Sequence, residues 1–218
     1  MSPDTGSRIL GTTAKSIEII ELLDEMDGAR VSELADRMEK PPSTVHGHLA
    51  TLESKEFVFK RGDIYYLGPE LLRLGNQVRT RKDEFVLARQ FAEKMCEETG
   101  FRSTFAVEMG GKAVFIHSAS GSKVGWAHEE MGNRLYLHNT AVGKAILAEM
   151  PKHRIELILD KWGLPRETEH TITDEEAFFK ELEAVRERGY AINRGENIED
   201  LYAIGVAATK QSGDVIGG

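Results

Sequence analysis

The sequence predicts an α+β protein in which three helices and a hairpin precede a mixed α/β domain. Two short helical stripes are joined by Pro41-Pro42, and two β-prone runs flank Gly62-Asp63. From Ser103 onwards, the apolar residues follow the period of strands, interrupted by helical segments. Helix, helix, helix, hairpin is the order of a winged helix-turn-helix, which we expect over residues 13–68.

The first predicted helix and the arm before it differ in their patterns. Four residues fall at i, i+3, i+4 and i+7, the positions of one buried helical face: Ile19, Leu22, Leu23 and Met26. The stripe predicts a helix from about Thr13 to Met26 that ends at Asp27-Gly28. Residues 1–12 lack such a pattern, so we expect a flexible arm there.

A proline joint separates the next two helices. The first of them carries its own stripe at helical spacing: Val31, Leu34, Ala35 and Met38. Ser32 is available as its cap. Lys40-Pro41-Pro42 ends that helix, because proline cannot continue a helix but fits a first helical position. Val45, Leu49 and Leu52 then begin the stripe of a third helix.

The outward side of the third helix has an unusual composition. No Asp or Glu occurs between Lys40 and Leu52, although the residues around this stretch are rich in both. An acid-free side with small hydrogen-bonding groups suits a helix that enters the major groove of DNA, because acids repel phosphates and bulky side chains hold a helix away. An αα-hairpin without DNA binding has the same apolar pattern and stays open as an alternative. The predicted DNA contacts in this helix pair are Ser32, Ser43, Thr44, His46, Gly47, His48 and Thr51.

A β-hairpin, the wing, is predicted next. Phe57–Arg61 and Ile64–Leu67 are β-prone, and Gly62-Asp63 between them suits a type II′ turn, which needs glycine in its first position. Lys60 and Arg61 near its tip are predicted to reach the DNA backbone or the minor groove. Basic turn residues that contact only water are the alternative.

The charge balance limits the kind of DNA binding. The chain has 28 Lys and Arg against 36 Asp and Glu, a net charge of −8, which argues against indiscriminate coating of nucleic acid. Residues 1–68 hold 8 basic and 12 acidic residues, whereas Lys40–Arg61 holds four basic and two acidic ones. The sign of the charge is therefore inverted where contact with DNA is expected.

Composition also indicates the compartment and argues against catalysis. No apolar run is long enough to span a membrane, and the N-terminus lacks a signal-peptide pattern, so we expect a cytoplasmic protein without membrane contact. The single cysteine, Cys96, agrees with a reducing compartment and is expected to be a buried or semi-buried thiol. The seven histidines form no metal-binding motif and no nucleophile motif occurs, so no metal, cofactor or catalytic residue is predicted.

The second half of the chain begins with helices. Pro69 opens a helix that we expect to serve as a linker over residues 69–84, and a stripe after it predicts another helix: Ala88, Phe91, Ala92 and Met95. A helical linker would transmit movement between the two halves. Residues 85–218 are expected to form the second domain, in which two strands flank Gly110-Gly111. Thr173 with Glu176 predicts the capped start of a helix that ends at Gly189.

The junction Leu137–Lys144 is the best candidate ligand site. A short strand runs into a helix that begins near Asn139, and the first amides of a helix, at the positive end of its dipole, suit a carboxylate. Small residues there would let a ligand approach the backbone: Asn139, Thr140, Ala141, Val142 and Gly143. A capped helix without ligand stays open as an alternative. A nucleotide P-loop is not predicted, because His138 and Ala145 stand where its first glycine and its Ser/Thr belong.

Several phrases together resemble the IclR family of bacterial and archaeal transcriptional regulators. They span the chain from about Thr13 to Gly218: PPSTVHGHLATLESKEFV, YYLGPELLRLG, GNRLYLHNTAVGKAILA, LPRETEHTITD and ERGYAINRGENIEDLYAIGVAA. The resemblance implies a winged helix-turn-helix, a linker helix and a GAF- or PAS-like effector-binding domain with a central antiparallel sheet. It also implies homodimers or homotetramers that bind a double-stranded DNA operator, and small organic or aromatic acids as effectors at Ala141 and Val142.

Three departures from the family pattern affect these expectations. Pro42 and Gly47 occupy positions where the family often has basic residues, so the operator is expected to differ. A frequent acid and a cysteine of the family, both ligand contacts, align with Asn193 and Ala203. The family pattern continues beyond Gly218 with a strand and a helix, so we expect either that a tail is missing or that the pocket is incomplete.

We therefore expect a ligand-responsive, sequence-specific DNA-binding regulator without catalytic activity. Two other classes stay open. A metabolic enzyme with a vestigial helical domain predicts turnover of an organic acid and no retention on DNA. A protein-interaction module predicts partner binding and no salt-dependent binding to DNA.

Overall fold

The computed structural model describes residues 9–122 and 131–218. The chain divides into two compact units, unit 1 and unit 2, with the boundary between Val78 and Arg79. The elements up to this boundary are α1 Gly11–Glu25, α2 Val31–Arg37, α3 Pro42–Glu53, β1 Val58–Arg61, β2 Ile64–Leu67 and most of α4 Pro69–Thr80. The predicted order of three helices and a hairpin is confirmed. Helix α1 begins at Gly11, two residues earlier than expected. Residues 1–8 lie outside the described part, so the flexible arm stays a prediction.

The core of unit 1 consists of the predicted helical stripes packed on the hairpin. Its most buried side chains are at most 3 % exposed: Ile19, Leu23, Ala29, Leu34, Ala35, Val45, Leu49, Val58 and Tyr65. Met26 is exposed, because α1 ends one residue before it. The expected cap Ser32 was wrong: α2 begins at Val31, and it is the Arg30 amide that donates to Glu33 Oε2, at 2.6 Å. Ser32 is exposed in the first turn of α2.

The wing has the predicted turn. Strands β1 and β2 pair antiparallel with Arg61 opposite Ile64, which leaves Gly62-Asp63 as a two-residue loop. Gly62 has φ +62°, whereas Asp63 keeps an ordinary negative φ, and this combination is that of a type II′ turn. After the wing, a Cβ on Gly68 would overlap the carbonyl of Glu56, so only glycine lets the chain pass this close.

Helices α4 and α5 differ from the predicted linker. Helix α4 ends at Thr80, four residues earlier than expected, and α5 runs over Asp83–Thr99. Phe85, Ala92 and Cys96 are the buried side chains of α5, so the buried thiol is confirmed. The predicted stripe was wrong for Phe91 and Met95, which are 58 % and 51 % exposed. The phase of α5 is set by Phe85, which packs on Phe105 of the sheet with ring centroids 6.3 Å apart.

The strands of unit 2 pair antiparallel in three sections. These are β3 Ser103–Met109, β4 Lys112–Ala119 and β5 Arg134–Tyr136; then β6 Ala191–Arg194 and β7 Tyr202–Gly205; and finally β8 Ala208–Thr209 and β9 Val215–Gly217. Gly110-Gly111, with φ +66° and +87°, forms the predicted turn between β3 and β4. Gly218 exchanges two backbone hydrogen bonds with Ala106 of β3, at 2.9 and 3.0 Å, so the third section continues the first.

Three helices complete unit 2: α6 Ala141–Ala148, α7 Lys152–Trp162 and α8 Glu175–Arg188. Every residue of α6 is buried, and this helix contacts α8, β6 and β7. The cap of α8 is Asp174, whose Oδ1 accepts from the Ala177 amide at 2.8 Å, so the predicted cap Thr173 was wrong by one residue. Gly189, with φ +81°, ends α8 as predicted. Over the described ranges, no helix is long and apolar enough to cross a membrane.

Candidate DNA-binding surface and ligand site

Helix α3 presents most of the predicted DNA contacts to solvent. Pro42 is its first residue, and Val45, Leu49 and Leu52 fix its buried side. The outward side therefore carries the exposed residues Ser43, His46, Gly47 and Thr51, with Thr44 half-buried at its edge.

The centre of this outward side is narrow and polar. A Cβ added to Gly47 would meet no atom within 4 Å, so the surface beside it is open. Thr51 Oγ1 donates its hydrogen to the Gly47 carbonyl at 2.9 Å. The lone pairs of the Thr51 hydroxyl therefore stay available as acceptors. Ala50 and Ser54 extend the same side and were missed by the sequence reasoning. Their spacing of seven and eleven residues from Ser43 could have revealed them.

His48 has a different position from the other predicted contacts. Its Nδ1 lies 2.8 Å from Ser16 Oγ of α1, and the ring is half-buried. The imidazole of His48 therefore joins α3 to α1 and is turned away from the outward side of α3. This placement gives it a role in holding α3.

The basic residues of the wing are exposed at the end of β1. Arg61 forms the last pair before the turn, and Lys60 Nζ lies 5.4 Å from the centroid of the Tyr65 ring. Tyr65 is buried, so its ring supports the stem of Lys60 while the ammonium stays in water. The structure thus places two cations on the same unit as the outward side of α3.

The candidate ligand site at the start of α6 is tightly built. Thr140 is the N-cap: its Oγ1 accepts from the Gly143 amide at 3.1 Å, and its carbonyl accepts from the Lys144 amide at 3.0 Å. A Cβ on Gly143 would overlap the carbonyl oxygen of Leu137, so the strand before α6 folds directly onto its first turn. The amides of Ala141 and Val142 precede the first intrahelical bond and have no partner inside the helix.

Strand β7 lies directly on this first turn. A Cβ on Gly205 would stand 2.5 Å from the Ala141 carbonyl carbon and 2.6 Å from the Val142 nitrogen. The small residues that the sequence assigns to a ligand therefore accommodate the backbone of β7 in this structure. A ligand that reaches the Val142 amide from the side of Gly205 has to displace β7.

Asn193 and Ala203 face each other as register partners on β6 and β7. Asn193 is 1 % exposed, its Nδ2 donates to Asn197 Oδ1 at 2.6 Å, and its Oδ1 accepts from the Glu196 amide at 2.8 Å. Ala203 is half-buried. The structure thus brings both residues together on the ladder that ends at Gly205, but it uses the Asn193 amide to shape the following loop.

A buried ion pair beside this site was missed by the sequence reasoning. Lys144 is 1 % exposed, and its Nζ lies 2.6 Å from Glu196 Oε1 and 3.5 Å from Glu181 Oε1. A lysine within the apolar segment AVGKAILA is the signal that could have revealed it, because a buried ammonium requires an acid.

Three buried polar atoms of unit 2 lack a hydrogen-bond partner among the described residues: Asn139 Oδ1, Glu196 Oε2 and Asn197 Nδ2. The orientation of the Asn139 amide is set by its Nδ2, which donates to Glu167 Oε2 at 2.6 Å. Buried polar atoms are nearly always satisfied, which sets these three apart from the other buried polar groups.

His138 is a neutral, buried imidazole at the same junction. Burial lowers the pKa of His138 to about 4, against the opposing effect of its bond to the Pro165 carbonyl. Since a carbonyl only accepts, Nε2 carries the proton and donates to Pro165 O at 3.1 Å. Among the described residues, no group of three or more His, Cys, Asp or Glu is arranged to hold a metal ion.

Two family models match the chain. The IclR helix-turn-helix domain matches residues 12–62, and the C-terminal domain of the bacterial transcriptional regulator IclR matches residues 77–218. Among curated proteins, the chain is similar to the probable HTH-type transcriptional regulator ArcR of Halobacterium salinarum. The two are 28 % identical over 214 residues, which cover 96 % of this chain and 81 % of the relative.

Solved structures confirm the predicted fold. IclR of Thermotoga maritima has a TM-score of 0.82 at 27 % identity, over 94 % of this chain and 84 % of that one. An IclR homologue from Microbacterium hydrocarbonoxydans, complexed with 4-hydroxybenzoate, has a TM-score of 0.77 at 22 % identity, over 95 % and 86 % of the two chains. At 22 % identity, the similarity to the Microbacterium hydrocarbonoxydans structure shows a shared fold only.

Proposed function

Because the chain belongs to the IclR family of transcriptional regulators, we propose that α3 reads an operator in the major groove and that a small organic acid bound in unit 2 changes the affinity for it. The outward side of α3 supports the proposal that this helix binds DNA. It is free of acids between Lys40 and Leu52, it is open at Gly47, and two exposed cations stand on the wing. These properties suit close approach to base edges between phosphates.

The proposed DNA contacts divide into two groups. Ser43, Thr44, His46 and Thr51 reach base edges or nearby phosphates, and Gly47 permits the backbone of α3 to approach the groove. Ser32, Lys60 and Arg61 contact flanking phosphates, which fixes the position of the protein without reading sequence. His48 holds α3 against Ser16 and is not proposed to touch bases.

Titration of the chain on the DNA upstream of its own gene, at two salt concentrations, tests this proposal. Thr44→Glu with His46→Glu is expected to abolish specific binding, because two carboxylates would face phosphates. Gln77→Glu with Gln90→Glu adds the same charge at exposed positions elsewhere and is expected to leave specific binding unchanged. The proposal is contradicted if the α3 variant gives the same DNA footprint as the wild type, or if the wild type binds DNA without sequence preference.

The proposed effector is a small organic or aromatic carboxylate at the amides of Ala141 and Val142. The dipole of α6 and its first amides, which have no partner inside the helix, favour an anion there. Asn193 and Ala203 stand on the ladder beside these amides, and displacement of β7 from Gly205 is the structural change that binding requires. A homologue of the same fold binds 4-hydroxybenzoate, an aromatic acid, which supports this class of ligand.

Two proline substitutions, each at the first residue of a helix, test the effector site. Ala141→Pro removes one amide donor at a first helical position, where proline fits, and Glu175→Pro makes the same change at the start of α8. Pyruvate and 4-hydroxybenzoate serve as probes, with benzamide as an uncharged control, and melting temperature with DNA affinity as readouts. The Ala141 variant alone is expected to lose the response to acid. Equal responses to benzamide and to the acids would contradict the proposal.

Self-association and location complete the proposal. A homodimer or homotetramer would present two copies of α3 about 34 Å apart on one face of the DNA, which implies a roughly palindromic operator. The protein is proposed to act in the cytoplasm as a regulator without catalytic activity. Light scattering of the full chain with and without DNA measures the copy number, and a monomer on DNA would contradict this part.

A further inference from the structure

Three elements meet at one buried histidine, His117 of β4: the end of α4, the start of α5 and the sheet. Arg79, in the last turn of α4, donates from Nε to the Ile116 carbonyl at 2.8 Å, and its Nη2 lies 3.3 Å from His117 Nδ1. On the other side of the ring, Nε2 lies 2.7 Å from the carbonyl of Phe85 in α5. His117 is 3 % exposed. A single imidazole thus bridges the end of α4, the start of α5 and the sheet.

The partners of His117 fix its proton. The Phe85 carbonyl only accepts, so Nε2 carries the hydrogen and donates to it. A guanidinium only donates, so Nδ1 must offer its lone pair to Arg79 Nη2. The neutral Nε2–H tautomer is the only form of the ring that makes both bonds.

We propose that Arg79 and His117 are positioning residues that couple unit 2 to α4, and that the coupling holds only while His117 is neutral. This inference rests on the proposed function, since it names the path by which a change in unit 2 reaches the helix that leads to the DNA-binding unit. Protonation at Nδ1 would set an N–H and a positive charge against the guanidinium of Arg79. The bond between Arg79 and His117 would then be lost, and the last turn of α4 would keep only the bond from Arg79 Nε to the Ile116 carbonyl of β4.

The surroundings of His117 favour the neutral form. Arg79 faces it from α4, Arg89 and Glu93 from α5, and the aromatic ring of Phe105 lies across it on β3 with centroids 6.5 Å apart. Glu93 is engaged by Arg89 at 2.8 Å. In the turn between α4 and α5, Arg81 and Lys82 stand over the Phe85 ring at 5.8 and 5.2 Å. Burial lowers the pKa of His117 below its ordinary value, the bond to the Phe85 carbonyl opposes this effect, and the charges of Arg79 and Arg89 add to the lowering.

Two measurements on the full chain test the coupling. Nitrogen NMR of the His117 ring is expected to show the Nε2–H tautomer at pH 7.5, with protonation below the ordinary pKa of histidine. Hydrogen exchange of the backbone amides in the last turn of α4 is expected to accelerate at least about fivefold when His117 becomes protonated, as for a typical coupling between sites. His117→Gln keeps one donor and one acceptor and cannot be protonated, so its exchange is expected to stay slow.

The pH dependence of operator affinity distinguishes a coupling role of His117 from a merely structural one. His117→Gln is expected to remove one component of the pH dependence of operator binding, and Arg79→Gln is expected to give acid-like behaviour at pH 7.5. His46→Gln, on α3, controls for titration at the DNA itself. If both His117 and Arg79 variants bind DNA with the wild-type pH profile, or if exchange of α4 is the same in all variants, the coupling is overturned while the proposed function stands. If the wild type binds no operator at any pH, the proposed function fails, and the coupling to DNA binding fails with it. The NMR measurement of the His117 tautomer does not depend on DNA and separates this outcome from a failure of the contact between Arg79 and His117.

Discussion

Lys144 Nζ lies 2.6 Å from Glu196 Oε1, and the two side chains are only 1 % and 7 % exposed. The pair joins α6 to the loop after β6, where the Glu196 amide also donates to Asn193 Oδ1 at 2.8 Å. Glu181 is a second acid near Lys144 and is itself bound by Arg188 at 2.7 Å. The two partners are therefore not equivalent, because Lys144 has a second acid within reach.

Lys144→Met is expected to lower the free energy of unfolding by about 3–5 kcal/mol, because it leaves the Glu196 carboxylate buried without a partner. Glu196→Gln is expected to cost less, since Glu181 still faces the ammonium. Urea denaturation followed by circular dichroism measures both. The exposed pair Lys152–Glu156, at 3.8 Å, provides the control, and Lys152→Met should change stability by less than about 1 kcal/mol. Equal losses for the two lysine variants would refute this prediction.

Alanine at two helical glycines is expected to act in opposite directions. Gly143→Ala should destabilise the protein by about 1–3 kcal/mol, since the new Cβ overlaps the Leu137 carbonyl and the first turn of α6 must move. Gly47→Ala should stabilise it by roughly 0.5–1 kcal/mol, because the site is open and alanine is the better helix former. Denaturation midpoints of the two variants provide the measurement. A stable Gly143→Ala protein would show that α6 is not held against the preceding strand.

Stability is expected to fall with acid because of His138. Its folded pKa is about 4 against an ordinary value of 6.5, so the unfolded chain takes up the proton first as the pH falls. The stability that its neutral form provides is complete above pH 6.5 and is lost as the pH falls toward 4, by about 3 kcal/mol in total. Unfolding of His138→Gln as a function of pH should lack this loss, whereas His153→Gln, at an exposed position, should retain it. Parallel pH profiles for the wild type and His138→Gln would contradict the assignment.

The contact between His48 and Ser16 is expected to stabilise unit 1. A double-mutant cycle with His48→Ala and Ser16→Ala should give a coupling of about 0.5–1.5 kcal/mol, the net contribution of one hydrogen bond. Ser43→Ala with Ser16→Ala is the matched cycle without a contact and should be additive. Additivity in both cycles would mean that the His48 ring does not bind Ser16 in solution.

Local patterns predicted the elements where neighbours along the chain decide. The stripes of Val45, Leu49 and Leu52, the glycine turn at Gly62-Asp63 and the stop at Gly189 follow from periodicity and from allowed backbone angles. The sequence did not reveal which side of α5 is buried, because Phe91 and Met95 have the same spacing as a true core stripe. The choice is made by the contact of Phe85 with Phe105, which are distant in sequence.

The sequence by itself determined the order of the elements and the acid-free side of α3, because these depend on local spacing and on the absence of Asp and Glu, and its phrases carried the resemblance to the family. Only the tertiary structure decided how the polar residues are used. It turned His48 onto α1, closed the first turn of α6 under β7, paired Lys144 with Glu196 and set His117 between Arg79 and Phe85. Partners for buried polar groups come from remote parts of the chain, and the cost of leaving such groups unpaired determines the arrangement.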